Sequence, residues 1–162
     1  MSEIVMTRVD ARLVHGQVAG RWIKLLHADR VVIVEDEVAN DDFQVEMFNL
    51  VAPPGIEIDC LTVEQGIERW NKDKFGEGKT IILFKYPQTA DKAWRAGLKY
   101  SALNVAQVPM AKGRTRVYNT VHLTEEEREM FKALVAEGVN VYIQAVPEDT
   151  KMPIVDAISK MH

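Results

Sequence analysis

The sequence contains one cysteine, Cys60, in 162 residues. A lone thiol excludes an intramolecular disulfide framework, and Cys60 reads as a small buried apolar residue. No apolar run approaches the roughly 18 residues of a membrane span, and the longest, such as Val139–Val146, are strand-length. No basic region followed by a long apolar one opens the chain, and no Asn-x-Ser/Thr acceptor occurs. These absences lead to the expectation of a soluble cytoplasmic protein. Positive charge is not in excess either: 20 Lys and Arg face 24 Asp and Glu, a net charge of −4. A general nucleic-acid binder carries a basic surface, so nucleic acid is not expected as a partner. The sequence has no Gly-x-Gly-x-x-Gly dinucleotide fingerprint. Gly78-Lys79-Thr80 looks like the end of a phosphate-binding P-loop, but its first glycine would fall at Asp73 and the triplet precedes a strand. His15, His27, His122 and His162 are scattered without metal-ligand spacing, so neither metal nor cofactor is expected.

What is present is an ordinary globular composition, 47% hydrophobic, of a length that suits one domain over residues 1–162. Short apolar runs alternate with helical patterns. Strands are expected at Ile4–Val9, Val31–Val34, Ile56–Leu61, Thr80–Phe84, Ala102–Val105, Val117–Leu123 and Val139–Val146. Several are apolar without clean alternation, as suits strands buried on both faces. Between them, Asn40 is placed to cap a helix whose residues Phe43, Met47, Phe48, Leu50 and Val51 share one broad face, ended by Pro53-Pro54-Gly55. Thr62-Val63-Glu64-Gln65 and Thr124-Glu125-Glu126-Glu127 are capping boxes. The first opens a helix turning Ile67 and Trp70 inward. The second opens one presenting Met130, Phe131, Leu134 and Val135, with Gly138 in the left-handed position after it. The order predicts an α/β fold with a mostly parallel sheet and helices on both faces.

In such sheets ligands bind beyond the carboxyl ends of the strands. The first of those loops, Arg8-Val9-Asp10-Ala11-Arg12-Leu13-Val14-His15-Gly16-Gln17, gathers two arginines, an aspartate and a histidine. Neutral imidazole is a nucleophile at physiological pH. Gly16 permits a tight turn and close approach. The free N–H groups of the helix that follows attract an anion by about 0.3–1 kcal/mol. Arg12 offers a donor fork to phosphate oxygens, and Asp10 is placed to hold the second imidazole nitrogen. The group describes a phosphate-accepting histidine. It is equally compatible with a loop histidine bonded to backbone and with solvated arginines. Two later loops reach the same edge: Phe84–Thr89, with Lys85, and Asn104–Gly113, with Lys112. Lys112, Arg114 and Arg116 form a basic cluster that reads as solvated charge. The acidic stretch Glu35-Asp36-Glu37 with Asp41 and Asp42 lacks a calcium-loop pattern and reads as a solvated strand end and helix start. His27 reads as a helix C-terminal cap. Met6, Trp22, Trp94 and Tyr100 are candidate core residues.

The stretch Arg8-Val9-Asp10-x-Arg12-Leu13-Val14-His15-Gly16-Gln17-Val18 resembles the active-site loop of the IIB components of the mannose/fructose/sorbose-type sugar phosphotransferase system. Asp36–Asp41, Lys85-x-Pro87, Asn104-Val105 and Lys112-Gly113 follow in the family's order. The resemblance implies a three-layer α/β/α domain whose central, mostly parallel sheet has about seven strands. It also implies a protein-phosphohistidine–sugar phosphotransferase. The histidine matching His15 takes a phosphoryl group, on Nδ1 in the family, from a IIA component. It passes the group to a sugar entering through the membrane IIC/IID pair, with which the protein associates peripherally. Arg12 matches the arginine that stabilises the transferred group. Asp10 joins the catalytic set, and Arg8, Gly16, Gln17, Lys85 and Lys112 join the phosphate- or partner-binding set. Where the family commonly has Asn-(Val/Ile)-Gly-x-Met, this chain has Asn104-Val105-Ala106-Gln107-Val108. The segment Val139–Pro147 looks most like members that transport N-acetylgalactosamine or galactosamine. Two other readings remain: a phosphohistidine-type phosphatase or mutase, poorly matched because Leu13 and Val14 separate Arg12 from His15, and a small-anion or nucleotide-binding module that forms no covalent intermediate.

Overall fold

The computed structural model describes residues 1–161, with the side chains of residues 17–19 outside the description. In chain order it consists of β1 (Ser2–Asp10), α1 (Gly16–Leu26), β2 (Arg30–Val34), α2 (Asp36–Ala39), α3 (Asp42–Val51), β3 (Glu57–Leu61), α4 (Val63–Asp73), β4 (Gly78–Phe84) and α5 (Pro87–Ala96). There follow β5 (Ala102–Gln107), β6 (Thr115–Tyr118), β7 (Val121–Leu123), α6 (Glu125–Ala136), β8 (Asn140–Ile143), β9 (Met152–Pro153) and α7 (Ile154–Ser159).

Seven strands form one sheet in the order β3-β2-β4-β1-β5-β8-β9. All neighbours are parallel except the last pair, where β9 runs against β8. The period of two along each strand sends its apolar residues to two separate cores. Val31, Ile33, Ile81 and Leu83 face one side, packed on Trp22 and Ile23 of α1, Val38 of α2 and Phe48 of α3. Val32, Val34, Ile82 and Phe84 face the other, packed on α4, α5, α6 and α7 through Val63, Ala90, Phe131 and Ile154. That is the three-layer architecture expected, and it explains why the central strands read as continuous apolar runs. In β1 the register against β4 shifts between Ile4 and Met6. Beyond that irregularity Met6, Arg8 and Asp10 line one cavity beside α1.

Both capping boxes form. Thr62 accepts from the Gln65 N–H while the Gln65 side chain accepts from the Thr62 N–H, and Thr124 and Glu127 repeat the pattern. Gly138 takes φ +104 after α6, and His27 is the left-handed C-cap of α1. Met6, Trp22 and Tyr100 are buried, and Trp94 packs on the second core.

Several expectations change. The cap of α3 is Asp41, whose carboxylate accepts from the N–H groups of Phe43 and Gln44; Asn40 closes the short α2 instead. Of the apolar face assigned to α3 only Phe48 is buried, while Phe43 and Leu50 are 75% and 79% exposed. The run Val117–Leu123 is not one strand. Asn119 adopts φ +51, and the chain doubles back there so that β6 and β7 pair antiparallel outside the main sheet. The run from Val139 leaves the sheet after Ile143, and Pro87-Gln88-Thr89 is the first turn of α5, entered by proline. Glu35 is not solvated: it is buried and accepts from the N–H groups of Lys85 and Tyr86 and from the Thr89 hydroxyl, tying the end of β2 to the start of α5. Arg114 leaves the solvated cluster as well, because it meets the buried Glu127 carboxylate through Nε and Nη2 at 3.0 and 2.9 Å. His162 lies outside the described residues. Among those described, no helix is long and apolar enough to cross a membrane.

Candidate functional site

The sheet order places β1 at the centre, between β4 and β5. From β1 the chain crosses through α1 towards β2 on one side, and from β4 it crosses through α5 to β5 on the other. The carboxyl end of β1 is thus the point where the winding reverses, where an open α/β sheet leaves a crevice.

The loop from Asp10 to His15 is built tightly there. The Leu13 N–H donates to the Asp10 carbonyl at 2.9 Å, and Leu13 adopts φ +57. A left-handed leucine costs about 1–3 kcal/mol. Its side chain and that of Val14 are buried in the first core, and burying a leucine returns about 1.5–3 kcal/mol. The two apolar residues between Arg12 and His15 therefore anchor the loop. His15 follows in an extended conformation as the N-cap of α1, and Gly16 turns into the helix at φ +24 with open space where a side chain would stand. No described side chain caps α1 and no acid lies in its first turn, so the unpaired N–H groups beside the imidazole are left to an anion.

Asp10, 1% exposed, is the hub. Its Oδ1 accepts from the N–H and Nε of Arg12 at 3.0 and 3.2 Å. Its Oδ2 accepts from Arg8 Nη2 at 3.1 Å and Arg12 Nη2 at 3.3 Å, and His15 Nε2 stands 3.5 Å from it. Nε2 is buried and has no closer partner among the described residues, whereas the side chain of His15 is 24% exposed, so the ring meets solvent on its other side. Burial lowers the His15 pKa from its ordinary value; Asp10 opposes this, and Arg12 and Arg8 add to it. The ring is therefore a neutral imidazole at pH 7, a nucleophile rather than a cation. Beneath it lies a cavity of about 20 Å³ walled by Met6, Leu13, Val14, Trp22 and Leu83. That is room for about one water, so chemistry on an organic group has only the outer face.

The other residues singled out by the sequence separate here. Arg12, 41% exposed, lies side-on against Asp10 with Nη1 unengaged among the described residues. Arg8 is not available to a phosphate. It is 3% exposed and bonds Asn104 Oδ1, Asp10 and the carbonyls of Gln144 and Ala145, with the Trp22 ring 5.5 Å from its guanidinium. The cause is its strand position, which turns it inward on the same face as Asp10. Lys85 reaches the same sheet edge, but its ammonium pairs with Glu37 of α2 at 2.9 Å. Lys112 is exposed on the loop before β6. The side chain of Gln17 lies outside the described residues. Asn104, expected only as the start of a loop at this edge, bonds Arg8 directly, and Gln144 and Ala145 were missed as neighbours of the cluster. Ala106, which replaces the family's glycine, is fully buried within β5, and its carbonyl accepts from the Thr120 hydroxyl. Cys60 has its thiol pushed up to about 11 by burial and by Asp59, which leaves it unreactive.

Fold and cluster together define an open α/β domain that presents a neutral histidine, one free arginine edge and a helix N-terminus at its winding reversal. The model of the family described as PTS system sorbose subfamily IIB component matches residues 4–162, and the chain belongs to that family. It is 35% identical over 158 residues to the mannose-specific EIIAB component of Escherichia coli K12, covering 98% of this chain and 49% of that protein. The chain thus spans about half the length of that relative. It is 33% identical to the N-acetylgalactosamine-specific phosphotransferase enzyme IIB component 1 of the same organism, covering 94% of this chain and 97% of that one. The crystal structure of the IIBSor domain of the sorbose permease from Klebsiella pneumoniae superimposes with a TM-score of 0.92 at 26% identity, covering 99% and 98% of the two chains.

Proposed function

We propose that this chain is a cytoplasmic phosphocarrier that accepts a phosphoryl group on His15 Nδ1 from a IIA phosphohistidine. It then gives the group to a sugar entering through membrane IIC/IID components. The observation that carries the reading is the placement of His15: Nε2 is buried 3.5 Å from Asp10 while the side chain as a whole stays 24% exposed at the residue that caps α1. With its proton on Nε2, towards the carboxylate, the neutral ring has its lone pair on Nδ1. That nitrogen attacks phosphorus while the donor imidazole leaves with the electron pair of the broken P–N bond. The transition state is loose, and the protein mainly aligns the two nucleophiles and spreads charge. Arg12 Nη1 and the α1 amides supply the donors, and Arg8 and Arg12 against Asp10 leave one net positive charge to receive the group.

The Nε2 proton stays in place after transfer, so the phosphorylated ring is cationic and balanced by Asp10. A cationic ring is the better leaving group, which suits a carrier that must surrender the phosphoryl group to a sugar hydroxyl. The sugar itself needs no deep pocket here, and the cavity beneath His15 is too small to offer one. Relatives named for mannose, sorbose and N-acetylgalactosamine all match this chain over nearly its whole length. The likeness of Val139–Pro147 makes N-acetylgalactosamine or galactosamine the substrate we would test first.

The test supplies phosphoenolpyruvate, the general phosphotransferase proteins and a IIA partner, and follows acid-labile phosphate on wild type and on His15→Ala. Label on the wild type alone is expected. A folded wild type that takes no label from several IIA partners would leave a binding module with no covalent intermediate as the better description.

A further inference from the structure

Arg8 and Asp10 would form a buried ion pair without help, yet the structure surrounds Arg8 with neutral acceptors. Asn104, fully buried in the neighbouring strand β5, accepts from Arg8 Nη1 at 2.8 Å through Oδ1 and donates through Nδ2 to the Gln144 carbonyl at 3.0 Å. The Ala145 carbonyl accepts from Arg8 Nη2 at 3.0 Å, and Trp22 Nε1 donates to the same carbonyl. The turn carrying both carbonyls is itself fixed, because the Asp149 carboxylate accepts from the N–H groups of Ala145 and Val146 and Gln144 Nε2 donates to the Asp149 carbonyl. A chain of bonds therefore runs from the turn after β8 through Asn104 and Arg8 to the carboxylate that faces His15.

The residue type at 104 matters for its charge. An amide occupies one end of Arg8 and leaves its positive charge intact. A carboxylate of the same shape would occupy the same donor and cancel that charge. It would also set an oxygen against the Gln144 carbonyl, where Nδ2 now donates. The groups that face His15 are Asp10, Arg8 and Arg12, and their sum decides both how readily the imidazole protonates and how strongly the edge attracts an anion.

We infer that Asn104 is a positioning residue for His15: a neutral clamp that holds Arg8 against Asp10 without neutralising it, and so sets the one net positive charge at the phosphoryl-accepting edge. This rests on the reading of His15 as the acceptor, and its test separates the two. Wild type, Asn104→Asp and Asn104→Ser are titrated by NMR on the His15 ring, and each is assayed for phosphoryl loading from the IIA donor. Asn104→Asp should raise the His15 midpoint by about one pH unit and slow loading about tenfold. Asn104→Ser, which lets Arg8 turn away from Asp10, should move the midpoint upward by less. A folded Asn104→Asp protein with an unchanged midpoint and unchanged loading would overturn the clamp. Unfolding of Asn104→Asp with an unmoved midpoint in Asn104→Ser, or unfolding of both, would assign Asn104 to the fold alone and overturn it equally. A wild type that takes no label defeats the carrier reading but leaves the titration to decide the clamp.

Discussion

Two arginines within five positions of each other have opposite fates, and the difference is exposure. Arg8 lies inside the sheet with its donors committed, whereas Arg12 lies on the turn after it, 41% exposed, with Nη1 unengaged among the described residues. Arg12→Ala is expected to cut phosphoryl loading by about 10²-fold, the usual cost of one preorganised donor. It should cost roughly 1–3 kcal/mol of stability, since it strips two charged hydrogen bonds from the buried Asp10 carboxylate, which keeps Arg8 and the backbone N–H of residue 12. Stopped-time labelling beside denaturant unfolding measures both, and a loading rate equal to wild type would contradict the role. His15 itself gives a pH dependence. Burial, with Arg12 and Arg8, holds its pKa below 6.5 against the pull of Asp10, and only the neutral ring attacks. Loading should therefore rise with pH through a midpoint below 6.5 and level off above it. The unfolded chain binds the proton more tightly, so the stability this residue contributes is present above 6.5 and lost as pH falls through the folded midpoint. A loading midpoint above 6.5 would reverse the balance of charges assigned to the site.

At the scale of elements, α3 shows how far a helical period can be trusted. Its apolar residues fall at helical spacing, yet they spread over more of the circumference than the sheet can cover. Phe48 is 5% exposed beneath the helix, while Phe43 and Leu50 stand in solvent. Phe48→Ala should cost about 3–5 kcal/mol as a core truncation. Phe43→Ser should stay within about 0.5 kcal/mol of wild type. Equal losses in thermal or denaturant unfolding would mean that Phe43 is covered in solution. The capping boxes of α4 and α6 were legible because both partners lie within four residues and need nothing from elsewhere. The burial of Glu35 was not, because its three donors come from Lys85, Tyr86 and Thr89, some fifty residues on. The pairing of Arg114 with Glu127 likewise joins two segments that only the fold brings together, whereas the hairpin of β6 and β7 is local and was hidden because Asn119 turns left-handed inside an otherwise apolar run.

Across the whole molecule, the alternation of strands and helices was enough to predict a mostly parallel sheet with helices on both faces. Once one strand is parallel to the next, the connection must cross a face, and a helix with one apolar side is what covers it. The same reasoning brought the β1–α1 loop to the carboxyl edge and made His15, Arg12 and Asp10 neighbours, since they lie within six residues of one another. Strand order was beyond its reach. Placing β1 between β4 and β5 is a matter of which apolar surfaces fit over long sequence separations, and that placement creates the winding reversal on which the site sits. It also brings Asn104 and the Gln144–Ala145 turn under Arg8, converting an expected phosphate ligand into a buried support. The amino-acid sequence by itself determined the chemistry available, because reactive groups in one short loop stay together however the rest folds. The tertiary structure alone decided which charges remain free, which nitrogen of His15 faces outward and what holds Asp10 in place, because burial and hydrogen bonding are properties of neighbours that the chain brings from far away.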